Sequence, residues 1–336
     1  MTKVSILEFG ASTSNTDNYT QIQDAINYVY SQGGGDVHIP NGRFKYSNTL
    51  SVKDCVRIIG EGADKNASQL EYTGSGFAMK TAGSHLRQRF KDFYLTLNYN
   101  QHGIKIGDVV ANLNRDLGIL PRQIDLDNVV ISGLGIGQVG IKTYNASHIT
   151  MKKVRSAYGN GGLGLVITCD GYNSGVFVAE ECSFGRHGQT QVGVEFLGGT
   201  GGLDGYVFNG CYFGGAVPIR FRNGNTSNLV FNAPHIEVTD SSVEHYAVDI
   251  ESVKGLVFNG GLIGGFGSNT VVGILFRKAC EGVNINSLTV NEFAGTVFKN
   301  SSGVSPKHSI LYNAVSTGST SPATQFNGNF NEAIIV

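Results

Sequence analysis

From about residue 86 onward the sequence repeats, and a repeat of this length leaves a chain few architectures to fold into. The unit reads apolar, any, apolar, then two turn-like residues, then apolar, any, apolar. Its copies are IDLDNVVI (124–131), ITMKKVRS (149–156), FVAEECSF (177–184), YVFNGCYF (206–213), LVFNAPHI (229–236), LVFNGGLI (256–263) and VNINSLTV (283–290), with RFKDFYL (89–95) as a weaker first copy. The second apolar residue of each copy serves as an anchor: Phe90, Leu126, Met151, Ala179, Phe208, Phe231, Phe258 and Ile285. Successive anchors are 36, 25, 28, 29, 23, 27 and 27 residues apart.

A further strand follows each copy: GIKI (103–106), GIKT (140–143), GLVI (164–167), GVEF (193–196), PIRF (218–221), AVDI (247–250), GILF (273–276) and TVFK (296–299). Alternation with a period of two puts every second side chain on one face. The two-residue insertions, such as Asn209-Gly210, Asn232-Ala233 and Asn259-Gly260, break that alternation with residues that tolerate unusual backbone angles. Each copy therefore bends between two short strands and keeps one side apolar. A unit this short cannot bury that side alone, whereas stacked coils can. No copy has the i, i+3, i+4 pattern of a helical solenoid. The expected fold is all-β, a right-handed single-stranded parallel β-helix, its hand set by the general preference of parallel crossovers.

Composition narrows the function. Charged residues make up 15% of the chain against a usual value of about 25%, and the net charge is −1 with no basic block. Nucleic acid is therefore excluded as an expected partner. A 40% hydrophobic content excludes a disordered chain. No apolar run reaches the roughly 18 residues of a membrane helix, so no membrane insertion is expected. The five cysteines are odd in number, lack a CxxC and lie in or beside apolar runs, which reads as buried free thiols. The start, MTKVSILEFGA, lacks the marks of a signal peptide. Virion-associated or otherwise extracellular action is expected, with the cytoplasm as the alternative.

The first residues differ from the repeat. TQIQDAINYVYSQ (20–32) is amphipathic, with Ile22, Ala25, Ile26 and Tyr30 on one face, and stops at Gly33-Gly34-Gly35. The strand VHIP (37–40) follows. An open β-helix end exposes unpaired edges, so a helix laid across it meets a physical need. The reading is a cap over residues 1–45, coils over 46–300 and a C-terminal tail or cap over 301–336.

The segment LEFGASTSNTDNYTQIQDAINYVYSQGGGDVHIPNGRFKYSNTL, followed by VRIIGEG (56–62), resembles the N-terminus of the pectate-lyase-like β-helix superfamily. Phe9-Gly10-Ala11, Gln23, Ala25, Ile26, Gly33 to Gly35, Val37, Pro40 and Gly42 match that pattern, and Glu8 stands where aspartate is usual. The resemblance covers about 60 residues closely and the rest through the repeat. It implies a chain that acts on polysaccharide, as pectate lyases, polygalacturonases and phage tailspike depolymerases do.

The repeat register gives the outward positions. Four residues beyond each anchor stand Tyr94, Val130, Arg155, Ser183, Tyr212, His235, Leu262 and Thr289, and six beyond stand Thr96, Ser132, Ala157, Gly185, Gly214, Glu237, Gly264 and Asn291. Arg155, Ser183, Tyr212 and His235 thus form a polar ladder with Glu237 beside it, flanked by glycines that leave a groove for a sugar chain. Arg186 and His187, just after Phe184, are candidates to line that groove. Elimination beside a uronate carboxylate needs a base, an acid and a cation, for which Tyr212, His235 and Arg155 are suited. Hydrolysis needs two carboxyl groups, and Glu237 with Asp204 or Glu181 is the best such set. Lyase and hydrolase both stay open. A solvated surface is the plainer account of any single outward His or Tyr, and Glu195, Arg220 and Asp249 read most simply as a cross-strand charge ladder. The glycines of GLGIGQVG (133–140) precede strands rather than a helix, so a phosphate loop is excluded. No cofactor is expected and no metal spacing is present, although calcium held by scattered carboxylates would leave no signature.

The expected function is degradation of a polysaccharide by a tailspike-type β-helix, with a non-catalytic glycan-binding or structural β-helix as the alternative. Cys182 and Cys211, three beyond their anchors, should point inward on adjacent coils. One residue before the anchors, Val178, Val207, Val230 and Val257 should form an outward apolar stripe, covered either by the tail or by another subunit. Since tailspikes pack three β-helices side by side, a homotrimer is the expected cover.

Overall fold

The computed structural model describes residues 1–81, 86–98, 100–107, 122–158, 162–169, 174–185, 190–199, 201–222, 225–238, 245–265, 271–291 and 296–301, with the backbone of Lys307–Leu311, Phe326–Asn327 and Ile334–Ile335. The fold is a right-handed parallel β-helix, with one α-helix among the described residues. The chain divides into two compact units, Met1–Gly162 and Leu163–Val336. In each unit a coil contributes strands to three faces, named here in the order the chain visits them from its anchor.

In the N-terminal unit the first face begins with Thr2–Ser5, which pairs in parallel with Gly35–His38, which pairs with Val56–Ile59. Residues 1–45 thus already supply rungs of the coil. The helix Tyr19–Ser31 buries Ile22, Ala25, Ile26 and Val29. Tyr30, expected on that face, is instead half exposed, because Val29 sits one turn beyond Ala25 and Ile26 while Tyr30 has rotated past the stripe. Gly33 N–H bonds to Tyr30 O and Gly34 N–H to Val29 O, the paired bonds of a Schellman stop, with Gly33 at φ +83°. The Gln23 side-chain amide bonds both ways to the Ser51 backbone (2.9 and 3.2 Å), supplying the edge of strand Leu50–Val52 with partners a next coil would otherwise provide.

The anchors stack as the repeat requires. Phe90, Leu126 and Met151 are register partners in the N-terminal unit, and Ala179, Phe208, Phe231, Phe258 and Ile285 in the C-terminal unit. All are buried. Phe208, Phe231 and Phe258 lie ring over ring at 4.9 Å, and Phe196 lies on Phe221 at 4.7 Å, so the core is built of aromatic columns parallel to the coil axis. Cys182 and Cys211 are buried, as their spacing from the anchors requires. One outward position departs from the repeat. A bulge between Ile131 and Ser132 pairs Ser132 with Tyr158, so Ala157 loses its expected rung.

Asn209, Asn232, Asn259 and Asn286 stack one residue beyond their anchors, each side-chain amide donating to the one before it at 2.8–2.9 Å. On the third face of the C-terminal unit Glu195, Arg220 and Asp249 are register partners. Arg220 bonds Glu195 at 2.6 Å, but Asp249 is held by Arg222 (2.6 Å) and Arg277 (2.5 Å). The Asp249 side chain is 2% exposed. Burial works to raise its carboxyl, and hydrogen bonds and charge from Arg277 and Arg222 overcome this and leave it below the ordinary carboxylate value.

Its stabilising contribution is therefore complete above the ordinary aspartate pKa and is lost as pH falls through the lower folded value. Asp249→Asn should cost about 3 kcal/mol or more by leaving two guanidiniums uncompensated. Thermal melts against pH will show that loss at neutral pH and a smaller one in acid.

Candidate functional site

The second face of the C-terminal unit is built from Ser183–Phe184, Tyr212–Gly215, His235–Val238, Leu262–Gly265 and Thr289–Asn291. Ser183, Tyr212, His235, Leu262 and Thr289 are successive register partners, and so are Gly214, Glu237, Gly264 and Asn291. Backbone bonds hold the rungs: Tyr212 N–H to Cys182 O (2.8 Å), His235 N–H to Cys211 O (2.9 Å) and Leu262 N–H to Pro234 O (2.8 Å). Phe184, Phe213, Ile236 and Ile263 fill the core side, which forces their neighbours outward. The ladder expected over Ser183, Tyr212 and His235 is present as aligned side chains.

Tyr212 is the centre of this face. Its hydroxyl donates to Glu237 Oε2 at 2.6 Å, a short charge-assisted bond between adjacent coils. The ring of the exposed His235 stands nearly perpendicular to the Tyr212 ring, centroids 5.2 Å apart at 82°. The phenol reaches Glu237 by lying over Gly214, where a Cβ would stand 2.6 Å from the hydroxyl. The expected groove is thus half filled: Tyr212 occupies the space over Gly214, whereas a Cβ at Gly264 would meet, among the described residues, only Ile236 O, at 4.0 Å. The opening beside Glu237 lies on the Gly264 side. A phenol, a carboxylate and an imidazole within one patch are groups that move protons.

The remaining candidates are placed elsewhere. Asp204 lies on the first face, exposed, accepting hydrogen bonds from Ser227 Oγ (3.1 Å) and Asn228 Nδ2 (2.7 Å). Its register partner Ser227 comes ten residues before Glu237, across the corner, so the two carboxylates do not form a pair. Glu181 is exposed at a corner with φ +52°. Arg155 is exposed in the N-terminal unit as the rung partner of Val130. Arg186 and His187 lie outside the described residues. Among the described residues no three His, Cys, Asp or Glu side chains come together to hold a metal ion. The part played by Gly214 went unread in the sequence, although a Tyr-x-Gly on an outward strand position is its signal.

No family model matches the sequence, and no curated protein matches it either. Solved structures do share the fold. The A-module of a mannuronan C-5 epimerase from Azotobacter vinelandii aligns over 100% of this chain and 97% of its own, at 16% identity and TM-score 0.63. The enzymatically active domain of tailspike protein 2 of bacteriophage CBA120 aligns over 94% of this chain and 48% of its own, at 14% identity and TM-score 0.68. An Acinetobacter phage tailspike protein aligns over 99% and 59%, at 14% identity and TM-score 0.54. At these identities the likeness is one of fold, and it is the fold that the N-terminal resemblance implied.

Tyr212→Phe should cost about 1 kcal/mol, the net worth of one hydrogen bond. Gly214→Ala should cost more, since it drives the ring off the strand as well as breaking that bond. Gly264→Ala, facing open space, should cost less than Gly214→Ala. Melting temperatures of the three variants in one buffer check the order.

Proposed function

We propose that this chain is a carbohydrate-active β-helix that degrades a polysaccharide lying across the second face of its C-terminal unit, in the manner of a tailspike-type depolymerase. The Tyr212–Glu237 hydrogen bond, with His235 beside it and open space over Gly264, is the observation that carries this reading. The epimerase and tailspike names among the structures of like fold agree with it. Glu237 polarises the Tyr212 phenol and accepts its proton when the phenolate oxygen takes one from substrate. His235, reachable from solvent, serves as the second proton-transfer group. Because Asp204 is held on another face, elimination fits this patch better than hydrolysis by two carboxylates. Arg155, Ser183, Arg186 and His187 remain proposed sugar-binding positions. The alternative, a β-helix that binds glycan without cutting it, draws on the same observation, since among the described residues the patch brings no second carboxylate beside Glu237.

The proposal extends to a virion-borne homotrimer. Val178, Val207, Val230 and Val257 are register partners on the outside of the first face, all half-buried. The apolar end of the tail, one of the two expected covers, forms a strand: Ile334–Ile335 pairs with Ser309–Ile310 as a further rung. A second subunit is then the cover that suits a stripe along the coil axis.

On a panel of bacterial and plant polysaccharides, new reducing ends with the ultraviolet absorbance of an unsaturated uronate mean elimination. Reducing ends alone mean hydrolysis, and neither means binding only. Tyr212→Phe, His235→Ala and Glu237→Gln should each lower turnover about tenfold or more; full activity in all three would remove this patch from the chemistry. Val207→Lys with Val230→Lys should turn a trimer into monomers or aggregates by light scattering, and a wild-type chain that runs as a monomer overturns the trimer.

A further inference from the structure

We infer that Cys182 and Cys211 are a paired thiol site that peroxide converts into a disulfide, a covalent clamp between two adjacent coils of the C-terminal unit. The two side chains occupy the same place on consecutive coils, each three residues beyond its anchor and one before the register partners Ser183 and Tyr212. The Tyr212 N–H bond to Cys182 O, at 2.8 Å, ties the two coils together at that point. Adjacent rungs stand about 4.8 Å apart, inside the roughly 4.4–6.8 Å between the α-carbons of a disulfide. The later coils of the unit carry Pro234, Gly261 and Leu288 at this place, so cysteine stands here on two neighbouring rungs. Cys211 also leans toward its neighbour. Its Sγ lies 3.5 Å from the carbonyl oxygen of Ala179, the anchor of the Cys182 coil, as well as 3.5 Å from Asn209 O on its own coil.

Both thiols are buried, yet each directly follows an exposed corner residue, Glu181 and Gly210, so local opening of a corner brings them to solvent. Burial alone makes a cysteine inert: it pushes the Cys280 thiol up to about 11. Cys211 behaves in the opposite way. A hydrogen bond from the Cys182 thiol outweighs burial and holds Cys211 below the ordinary cysteine value, so Cys211 is the sulfur primed to attack. Its thiolate attacks one oxygen of hydrogen peroxide and the O–O bond breaks; hydroxide leaves and Cys211 becomes a sulfenic acid. The Cys182 sulfur then displaces that hydroxyl, which forms the S–S bond and releases water. Two thiols and one peroxide thus give one disulfide and two waters, with both thiol protons ending in water. The bond joins residues 29 apart, which restricts the unfolded chain, and it fixes the rung beside Ser183 and Tyr212.

The full chain, reduced and then freed of reductant, should be treated with hydrogen peroxide, alkylated in denaturant and weighed by mass spectrometry. Two of the five thiols should be lost. Tryptic peptide 156–186 should be joined to 187–220, with fragment ions placing the bond on Cys182 rather than Cys169. On a non-reducing gel the product should run as a single chain. It should melt about 5 °C above the reduced chain, and dithiothreitol should reverse both changes. Cys280→Ser should lose two thiols as wild type does, whereas Cys182→Ala and Cys211→Ala should each form no such bond; either of these two that folds is sufficient. Five thiols surviving an excess of peroxide, or a bond made to Cys169 or between chains, would overturn the inference. So would Cys211 carried on to the sulfinic acid with the Cys182 thiol intact, or a cross-linked chain that melts no higher than the reduced one. Glycan cleavage plays no part in these readouts, so this site stands or falls apart from the chemistry proposed for Tyr212.

Discussion

The left-handed corner two residues beyond each anchor is what the rest of the coil depends on. Asp92, Asn128, Lys153, Glu181, Gly210, Ala233, Gly260 and Ser287 all have φ between +47° and +57°, except Gly260 at +64°. Only two are glycine, and for the others this conformation costs about 1 kcal/mol or more each. Stacking offsets that cost. The corner N–H of Glu181, Gly210, Ala233 and Gly260 donates to the carbonyl of Asn209, Asn232, Asn259 and Asn286 on the next coil, at 2.7–3.0 Å. A corner alone would be strained, but a column of them is a hydrogen-bonded wall with the asparagine ladder beside it. The corner also resets the alternation, which is why Phe208 and Phe213 both face the core while Tyr212 faces out.

That reset explains which parts of the structure were legible in the sequence. Anchors, corners and the strands after them repeat with a recognisable pattern, so the inward Cys182 and Cys211, the valine stripe and the Ser183–Tyr212–His235 row follow from counting. Counting fails where one residue is added. The bulge at Ser132 shifts Tyr158 into the place of Ala157, and nothing in ISGLG or RSAYG announces it. It fails also for contacts that depend on side-chain reach. That Tyr212 lies over Gly214 to reach Glu237, and that Asp204 turns to Ser227 and Asn228, are outcomes of rotamer and neighbour rather than of period. The column Lys80, Lys105 and Lys142, register partners on the third face of the N-terminal unit, escaped for a third reason. GIKI and GIKT carry Lys105 and Lys142 at one shared position, but the rung before them, FAMK, precedes the point where the repeat becomes readable.

The two units use their third faces in opposite ways, and the contrast is electrostatic. In the C-terminal unit acids and bases alternate and close on themselves: Arg220 on Glu195, then Arg222 and Arg277 on a buried Asp249. Glu195, Arg220, Arg222, Asp249 and Arg277 are thus all paired within the protein. In the N-terminal unit the same backbone geometry carries lysine on three consecutive rungs, the last two, Lys105 and Lys142, over the Tyr144 ring. A coil spacing of about 4.8 Å fixes the distance between side chains in a column whatever their identity. The fold therefore does not decide whether a column stabilises the protein or addresses the outside. Sign does: an alternating column is spent on pairing within the coil, whereas a column of one sign sets like charges a rung apart.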